Sequence, residues 1–217
     1  MRAVLGIDPG RADGGAAVLV ASVRGRPRAV LGIVWRESGG RFRVQVQHDG
    51  RSADHGSASG IVALGGVIGT QARAVQDRLD TFVSVLSEGP YLGKNVQSAL
   101  SVARTGAALE SVAAYLLAAP ESRTIVPGGW RKVLGVGAAD REIAKARSLA
   151  EIPPMLPGLP DLVEGLGRVD HLTDAGGVAL TGFLTECWSG TAAEWAARVG
   201  GATEQIPRVR AGRPGRA

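Results

Sequence analysis

Hydrophobic residues in the first part of the chain follow a pattern of short strands. Apolar runs cover 3–8, 16–23, 29–36 and 41–47, with turn residues such as Pro9-Gly10 and Gly39-Gly40 between some of them. Consecutive short strands joined by tight turns are typical of an antiparallel meander. The next segment, 49–60, is polar and rich in glycine and serine, which predicts a flexible inserted loop.

From about residue 67 the pattern changes to helices that alternate with strands. In the predicted helix 94–117, apolar residues from Val96 to Ala107 recur at spacings of three and four. The other predicted helices cover 67–79, 130–134, 139–150, 169–187 and 191–199, with strands at 81–86 and 122–126 and a Pro-rich connection at 152–160. Strands first and βα units afterwards indicate an α/β fold with a mixed sheet flanked by helices.

The composition favours a folded protein without disulfides or a membrane span. Its 217 residues are enough for one domain with its own core. The one cysteine, Cys187, excludes an intramolecular disulfide and a cysteine-based zinc cage. No run of 18 apolar residues occurs, and the N-terminus lacks the pattern of a signal peptide. We therefore expect a soluble, cytoplasmic protein with no membrane partner.

The net charge of +5 comes mostly from the end of the chain. Arginine supplies 22 of the 25 basic residues; its planar donors suit phosphate, although a GC-rich genome gives the same bias. From Arg198 onward, five arginines stand against Glu204, so the rest of the chain is nearly neutral. We expect one domain at 1–190, then a short helix and basic flexible tail at 191–217 that adds salt-sensitive affinity for nucleic acid.

Two carboxylates stand at the ends of predicted strands. Asp8 ends an apolar run typical of a strand buried on both faces, and Glu88 follows strand 81–86. A buried carboxylate requires a charge partner or a metal. The alternatives are an Asp-Pro-Gly turn at Asp8 and a solvated loop residue at Glu88. If the two strands are neighbours, the carboxylates would meet at one edge of the sheet.

The last predicted helix adds candidates near its beginning. Spacings of three and four put Asp174 on one face with His171 and Asp170. The acids also complement the helix dipole, and His171, taken alone, is better explained as an exposed or satisfied histidine. Oxygen ligands from two strand ends and one helix, with an imidazole, suit Mg²⁺ or Mn²⁺. Two such ions about 3.5–4 Å apart promote phosphodiester cleavage.

Four ordered segments resemble the RuvC Holliday-junction resolvases of the RNase H-like superfamily. They are GIDPG at 6–10, SEGPYLGKNVQSAL at 87–100, WRKVLGVGAADRE at 130–142 and HLTDAGGVAL at 171–180. The resemblance implies an RNase H-like mixed five-stranded sheet flanked by helices, in a homodimer that nicks four-way or related branched DNA. It also implies two Mg²⁺ or Mn²⁺ ions per site, with 5′-phosphate and 3′-hydroxyl ends. Residues 49–60 and the tail look like additions typical of phage or divergent members.

The resemblance also assigns roles to individual residues. The catalytic metal ligands that it implies are Asp8, Glu88, His171 and Asp174, with Asp170, one place off the pattern, as a lower-ranked alternate. The DNA contacts that it implies are the aromatic wedge Tyr91 and the cations Lys94, Arg131, Lys132 and Arg141. A partly buried loop tyrosine and ordinary surface cations are the alternatives for this second group.

Two other classes of function stay open on the sequence. One is a non-catalytic branched-DNA-binding protein on the same fold, in which the arginines do all the binding. The other is an actin-like or sugar-kinase-type phosphotransferase, which the GIDPG segment alone suggests. That class usually needs two such domains and a second glycine-rich phosphate turn, and the 217 residues show no second copy.

Overall fold

The computed structural model describes residues 2–11, 14–23, 26–48, 50–90 and 96–187. The chain begins with the predicted antiparallel meander, in which each strand pairs with the next. Its strands are β1 (Arg2–Arg11), β2 (Gly14–Val23), β3 (Arg26–Ser38), β4 (Arg41–His48) and β5 (Arg51–Ser59). The predicted helix at 191–199 and the basic tail lie outside the described residues.

Two further strands extend the sheet beyond β1, and six helices complete the described fold. Strand β6 (Phe82–Glu88) is parallel to β1, and β7 (Ser122–Ile125) is parallel to β6. The helices are α1 (Ile61–Leu79), α2 (Val96–Leu117), α3 (Pro127–Val133), α4 (Arg141–Met155), α5 (Leu159–Leu166) and α6 (Val169–Cys187). Helix α2 makes the crossover that the parallel connection from β6 to β7 requires.

The strands form one mixed sheet in the order β5-β4-β3-β2-β1-β6-β7, with helices on both faces. Apolar side chains of one face are buried with α1 and α2, and those of the other face with α3 to α6. Among the described helices, none has the length and apolar character that crossing a bilayer needs. The expected α/β fold with a mixed sheet flanked by helices is confirmed, whereas the expected count of five strands is wrong.

The prediction of a flexible loop at 49–60 is also wrong, because Arg51–Ser59 form strand β5 at the edge of the sheet. Gly50, in the left-handed conformation with φ 72°, turns the chain between β4 and β5. Ala58 is the one buried residue of this strand. Since β4 supplies the hydrogen-bond partners, an exposed edge strand forms without the apolar alternation that a sequence pattern detects.

Helix α1 begins at Ile61, six residues before the predicted start. Gly65 and Gly69 weaken the helical pattern in the sequence, but they lie where α1 approaches α2. A Cβ added to Gly65 would lie 2.9 Å from Val112 Cβ, and one added to Gly69 would lie 2.7 Å from Leu116 Cδ1. The close packing of the two helices therefore explains these glycines.

The Pro-rich connection expected at 152–160 is largely helical. Helix α4 continues through Pro153 and Pro154 to Met155, and α5 begins at Leu159. Gly158, with φ 87°, makes the left-handed turn between them. Fully buried leucines on both sides of this turn anchor it in the core, so tertiary packing outweighs the helix-breaking tendency of the prolines.

Helix α6 crosses β1 at a distance that only glycine permits. A Cβ added to Gly6 would lie 2.3 Å from the carbonyl oxygen of Ala175 and 2.5 Å from the backbone nitrogen of Ala179. Both contacts are with backbone atoms, which no side-chain rotation relieves. Gly6 therefore sets how closely the middle of α6 approaches β1.

Candidate metal centre

The C-terminal ends of β1 and β6 place two carboxylates next to each other. The strands are parallel, with Ile7 opposite Ser87, so Asp8 and Glu88 are the next residues of each strand. Side chains alternate between the faces of a sheet, and both carboxylates share with Leu86 the face that α6 covers. The structure thus brings the two strand-end acids to one edge of the sheet.

Helix α6 adds the third carboxylate, Asp174, from above the same edge. One ligand oxygen each from Asp8, Glu88 and Asp174 lies within 4.8 Å of the others. The side chains are only 8%, 12% and 18% exposed, respectively. Three carboxylates at this spacing and burial form a candidate site for a cation, and we refer to them as the carboxylate cluster.

His171 lies beside the carboxylate cluster, in contact with Asp8. Its Nδ1 is 2.6 Å from Asp8 Oδ2, while Asp8 Oδ1 accepts a hydrogen bond of 2.9 Å from the backbone N–H of Gly10. Both oxygens of Asp8 therefore have fixed partners. The structure places His171 at the site, and its role as a metal ligand stays a prediction.

Trp130 is a site residue that the sequence interpretation missed. Its indole Nε1 donates a hydrogen bond of 2.8 Å to Glu88 Oε1, and the side chain is fully buried. A Cβ added to Gly177 would lie 2.6 Å from the Trp130 ring, so α6 also packs closely on this indole. A buried tryptophan requires an acceptor for its N–H. That requirement is the signal that could have pointed to Trp130 as a partner of a carboxylate.

On the opposite face of the same edge, a fourth carboxylate, Glu110 of α2, binds the ends of two strands. It accepts hydrogen bonds from the hydroxyls of Ser87 at 2.5 Å, Ser122 at 2.6 Å and Thr124 at 2.9 Å. These hydroxyls belong to the ends of β6 and β7. Because Ser87 directly precedes Glu88, this network fixes the strand end from which Glu88 projects.

Arg131 lies within the cluster instead of extending into solvent. Its Nη2 is 3.0 Å from Asp174 Oδ1 and 3.9 Å from Glu88 Oε1. The guanidinium carbon lies 4.5 Å from the centroid of the Trp130 ring, and Nε donates to Ser148 Oγ at 3.3 Å. The cation that the resemblance assigns to the DNA backbone is therefore an internal partner of two carboxylates in this structure.

The cluster carries more negative charge than this one guanidinium neutralises. Burial raises the pKa of Glu88 well above its ordinary value, and Asp8 and Asp174 raise it further, against lowering by Trp130 and Arg131. Burial and then the charge of Asp8 raise the pKa of Asp174 to about 6, although Arg131 lowers it. An excess of hard carboxylate oxygens is the donor set that Mg²⁺ and Mn²⁺ prefer, so these residues fit a divalent cation.

We expect metal-free wild-type protein to lose stability, relative to an Asp174→Asn variant, as the pH rises from about 4 to about 7. Folding raises the pKa of Asp174 from 3.8 to about 6, so the folded state holds the proton more tightly. That contribution is complete below the unfolded pKa and is lost as the pH rises through the folded pKa. The free energy of unfolding of wild type, relative to that of the variant, is expected to fall by about 2–3 kcal/mol over this pH range. Urea unfolding with a chelator present measures it. Identical pH dependence in both proteins would contradict it.

Asp170 points away from the carboxylate cluster. Its Oδ2 accepts a hydrogen bond of 3.0 Å from Lys145 Nζ, and the two side chains are 55% and 42% exposed. The hydrogen bond from Lys145 lowers the pKa of Asp170. In the described part of the chain, Asp170 is thus a surface ion-pair partner, and the geometry favours His171 and Asp174 as the groups that α6 contributes.

Two of the other residues that the resemblance assigns to DNA lie at the surface. Lys132 is exposed on α3 and Arg141 is exposed at the beginning of α4. Tyr91 and Lys94 lie outside the described residues. The roles of all four in DNA binding stay predictions.

Comparison with known proteins gives a structural likeness without a sequence match. Neither a protein-family model nor a curated protein sequence matches the chain. It is similar to Thermus thermophilus RuvC in complex with a Holliday junction substrate, with 20% identity, coverage of 92% of this chain and 97% of that chain, and a TM-score of 0.48. A second Thermus thermophilus RuvC structure is 21% identical, with coverages of 91% and 96% and a TM-score of 0.44. Both are structures of the family that the four sequence segments resemble.

Proposed function

We propose that this protein is a metal-dependent, structure-selective DNA endonuclease that resolves four-way or related branched DNA by paired nicks. The observation that carries the proposal is the carboxylate cluster, in which ligand oxygens of Asp8, Glu88 and Asp174 lie within 4.8 Å of one another. Two strand ends and a helix position these oxygens, and this supports a site for divalent cations. The four segments that resemble RuvC resolvases support branched DNA as the substrate.

Asp8, Glu88 and Asp174 would hold the metal, and the proposal includes two Mg²⁺ or Mn²⁺ ions with His171 as a further ligand. Bound divalent ions supply a nucleophile at neutral pH and offset the charge that develops on the attacking and leaving oxygens. The proposed hydrolysis leaves a 5′-phosphate and a 3′-hydroxyl.

The other side chains of the centre orient these carboxylates and offer groups to the substrate. Trp130 holds Glu88 Oε1 through its indole N–H. The 2.6 Å contact between His171 Nδ1 and Asp8 Oδ2 is a place where a proton is held, and histidine changes its charge most readily near neutral pH. Arg131 offers a planar guanidinium whose donors match phosphate oxygens, next to the proposed metal site.

Paired nicks across a junction need two active sites, so we propose a homodimer with two-fold symmetry. Helix α2 is the candidate for part of the interface, and its Leu100 and Tyr115 are 45% and 84% exposed. The proposal assigns the nuclease to residues 1–190 and salt-sensitive DNA affinity to the tail at 191–217. It places the protein in the cytoplasm, or in the host cytoplasm for a phage-encoded protein.

A cleavage panel tests this function. Full-length protein is incubated with a synthetic four-way junction, a replication fork, a flap and a linear duplex, each with Mg²⁺, Mn²⁺ or chelator. We expect metal-dependent nicking of the branched substrates, at least about 100-fold faster than of the duplex, with nicks that DNA ligase can seal. Binding of junctions without any nicking would instead favour the non-catalytic alternative, and turnover of ATP would favour the phosphotransferase.

A further inference from the structure

Three exposed arginines lie on the sheet face that carries the carboxylate cluster. Arg36 is near the end of β3, and Arg41 and Arg43 are at the beginning of β4. The antiparallel register pairs Arg36 with Arg43 and Ser38 with Arg41. These strand ends are at the same end of the sheet as Asp8, and we call the three residues the arginine ledge.

The alternation of side chains along the strands determines on which face of the sheet the arginine ledge lies. The pairs Asp8–Ala16, Ala16–Val34 and Val34–Gln45 form one row across β1 to β4. Ala16 and Val34 belong to the core beneath α6, so this row lies on the α6 face. Residues two positions further along each strand share that face, which places the ledge on it, directly beyond the row of Asp8.

Among the described residues, a glycine lies between Asp8 and Arg36. Gly14 of β2 lies between them, and a Cβ added there would come within 3.0 Å of the Cα of Arg36. Adjacent strands are about 4.8 Å apart. Arg36 lies two strand spacings across the sheet and two residues along it from Asp8, which separates the two Cα atoms by about 12 Å. Arg43 lies three spacings across and two residues along, at about 16 Å.

None of the described helices covers the arginine ledge. Gln47 of β4 is buried beneath α5, where its Nε2 donates to the carbonyl of Asp161. Gln45, two residues nearer the ledge on the same face, is exposed, as are the arginines. The cover by helix α5 thus ends between Gln47 and Gln45, and no described helix lies over the face beyond, which leaves room there for a large ligand.

The ledge also has no ion-pair partner within the described residues. The nearest acid in the neighbouring strand is Asp54, opposite Gln45, and its Oδ1 accepts from the backbone N–H of Gly56. Arg36 and Arg43 lie directly opposite each other on the adjacent strands β3 and β4. Like charges in this position destabilise a sheet. An anion that bridges the two guanidiniums would remove that repulsion.

We propose that the arginine ledge binds phosphates of the DNA strand that leads away from the carboxylate cluster. This inference rests on the proposed function and identifies the partner surface of the same site. One strand of duplex DNA carries a phosphate about every 3.4 Å along the axis. Because the strand also winds around this axis, neighbouring phosphates lie about 6–7 Å apart in space, and separations of about 12 and 16 Å place Arg36 and Arg43 about two to three phosphates from the one at the cluster. The β3–β4 hairpin is then part of the DNA-binding surface. Strand β5, where the sequence predicted a loop, extends this part of the sheet.

The test measures how salt affects DNA binding by the full-length Arg36→Gln/Arg43→Gln protein. A labelled four-way junction is titrated in chelator at several KCl concentrations, and binding is followed by fluorescence anisotropy. Loss of two phosphate contacts is expected to reduce the slope of log K against log[KCl] by about 2 and to weaken binding about 10- to 100-fold at 0.1 M salt. The variant is expected to fold, with urea stability equal to or slightly above that of wild type.

The matched control is Arg2→Gln/Arg26→Gln, which removes two exposed arginines from the opposite end of the sheet. Both double variants change the net charge equally, so only a specific contact separates them. An unchanged slope for Arg36→Gln/Arg43→Gln, or equal losses in both variants, overturns the proposal while wild type still nicks the junction. Wild type that neither binds nor nicks any branched DNA overturns the proposed function, and with it this inference.

Discussion

Asp8→Asn is expected to reduce Mg²⁺-dependent nicking of a four-way junction by at least about 10³-fold, or about 4 kcal/mol in activation free energy. The substitution keeps the size of the side chain but removes a charge and an oxygen from the carboxylate cluster. Asp8 is also the carboxylate that joins the cluster to His171 and to the backbone of Gly10. Single-turnover nicking rates, measured with protein in excess over junction, give the effect directly.

The matched control for this experiment is Asp170→Asn. Asp170 lies on α6, four residues before Asp174, but pairs with Lys145 at the surface, and exposed ion pairs contribute little. We expect its nicking rate to stay within about twofold of wild type. Undiminished cleavage by Asp8→Asn, or equal losses in both variants, would show that the carboxylate cluster is not the catalytic centre.

Gly6→Ala is expected to lower the free energy of unfolding by more than about 3 kcal/mol, the upper range for overpacking a core. The added methyl group would lie 2.3 Å from the carbonyl oxygen of Ala175 and 2.5 Å from the nitrogen of Ala179. Because both are backbone atoms, α6 itself has to move away from β1. That movement would also shift Asp174 relative to Asp8, so nicking should fall as well. Urea unfolding and the nicking assay measure the two effects.

Gly66→Ala is the control for the same chemical change elsewhere. Gly66 lies in helix α1, and beyond the helix's own neighbouring backbone no atom lies within 4 Å of a Cβ added there. Alanine in place of glycine in an open helical position is expected to stabilise the protein by about 0.5–1 kcal/mol. If Gly6→Ala unfolds at the same urea concentration as wild type, α6 does not need the close approach that the structure shows.

The strand-end carboxylates were predictable because each interrupts an apolar run. Asp8 and Glu88 stand out as polar residues at the ends of strands whose pattern indicates burial, and the spacing of Asp174 on the last helix is visible in the same way. The sequence does not show that β1 and β6 are adjacent and parallel, with Ile7 opposite Ser87. Register is a property of two segments far apart in the chain, so no local pattern contains it.

The cations were harder to interpret from sequence than the acids. Arg131 matches a segment that the resemblance places near DNA, yet it pairs with Asp174 and Glu88. No sequence pattern marks Arg36 and Arg43, because their position opposite each other depends on strand pairing. An arginine has the same sequence signature in an internal ion pair and on an open surface, and the charges packed around it decide which is present.

The sequence by itself determined the alternation of strands and helices, the mixed α/β class and the chemical types gathered at the candidate site. Those features follow from local periodicity and from the cost of burying a carboxylate. Only the tertiary structure decided that residues 51–59 are an edge strand and that Trp130 and Arg131 contact the carboxylate cluster. It also decided that Gly6 allows α6 to pack closely against β1. Each of these depends on contacts between distant segments, and such contacts arise only when the sheet is assembled and its helices pack against it.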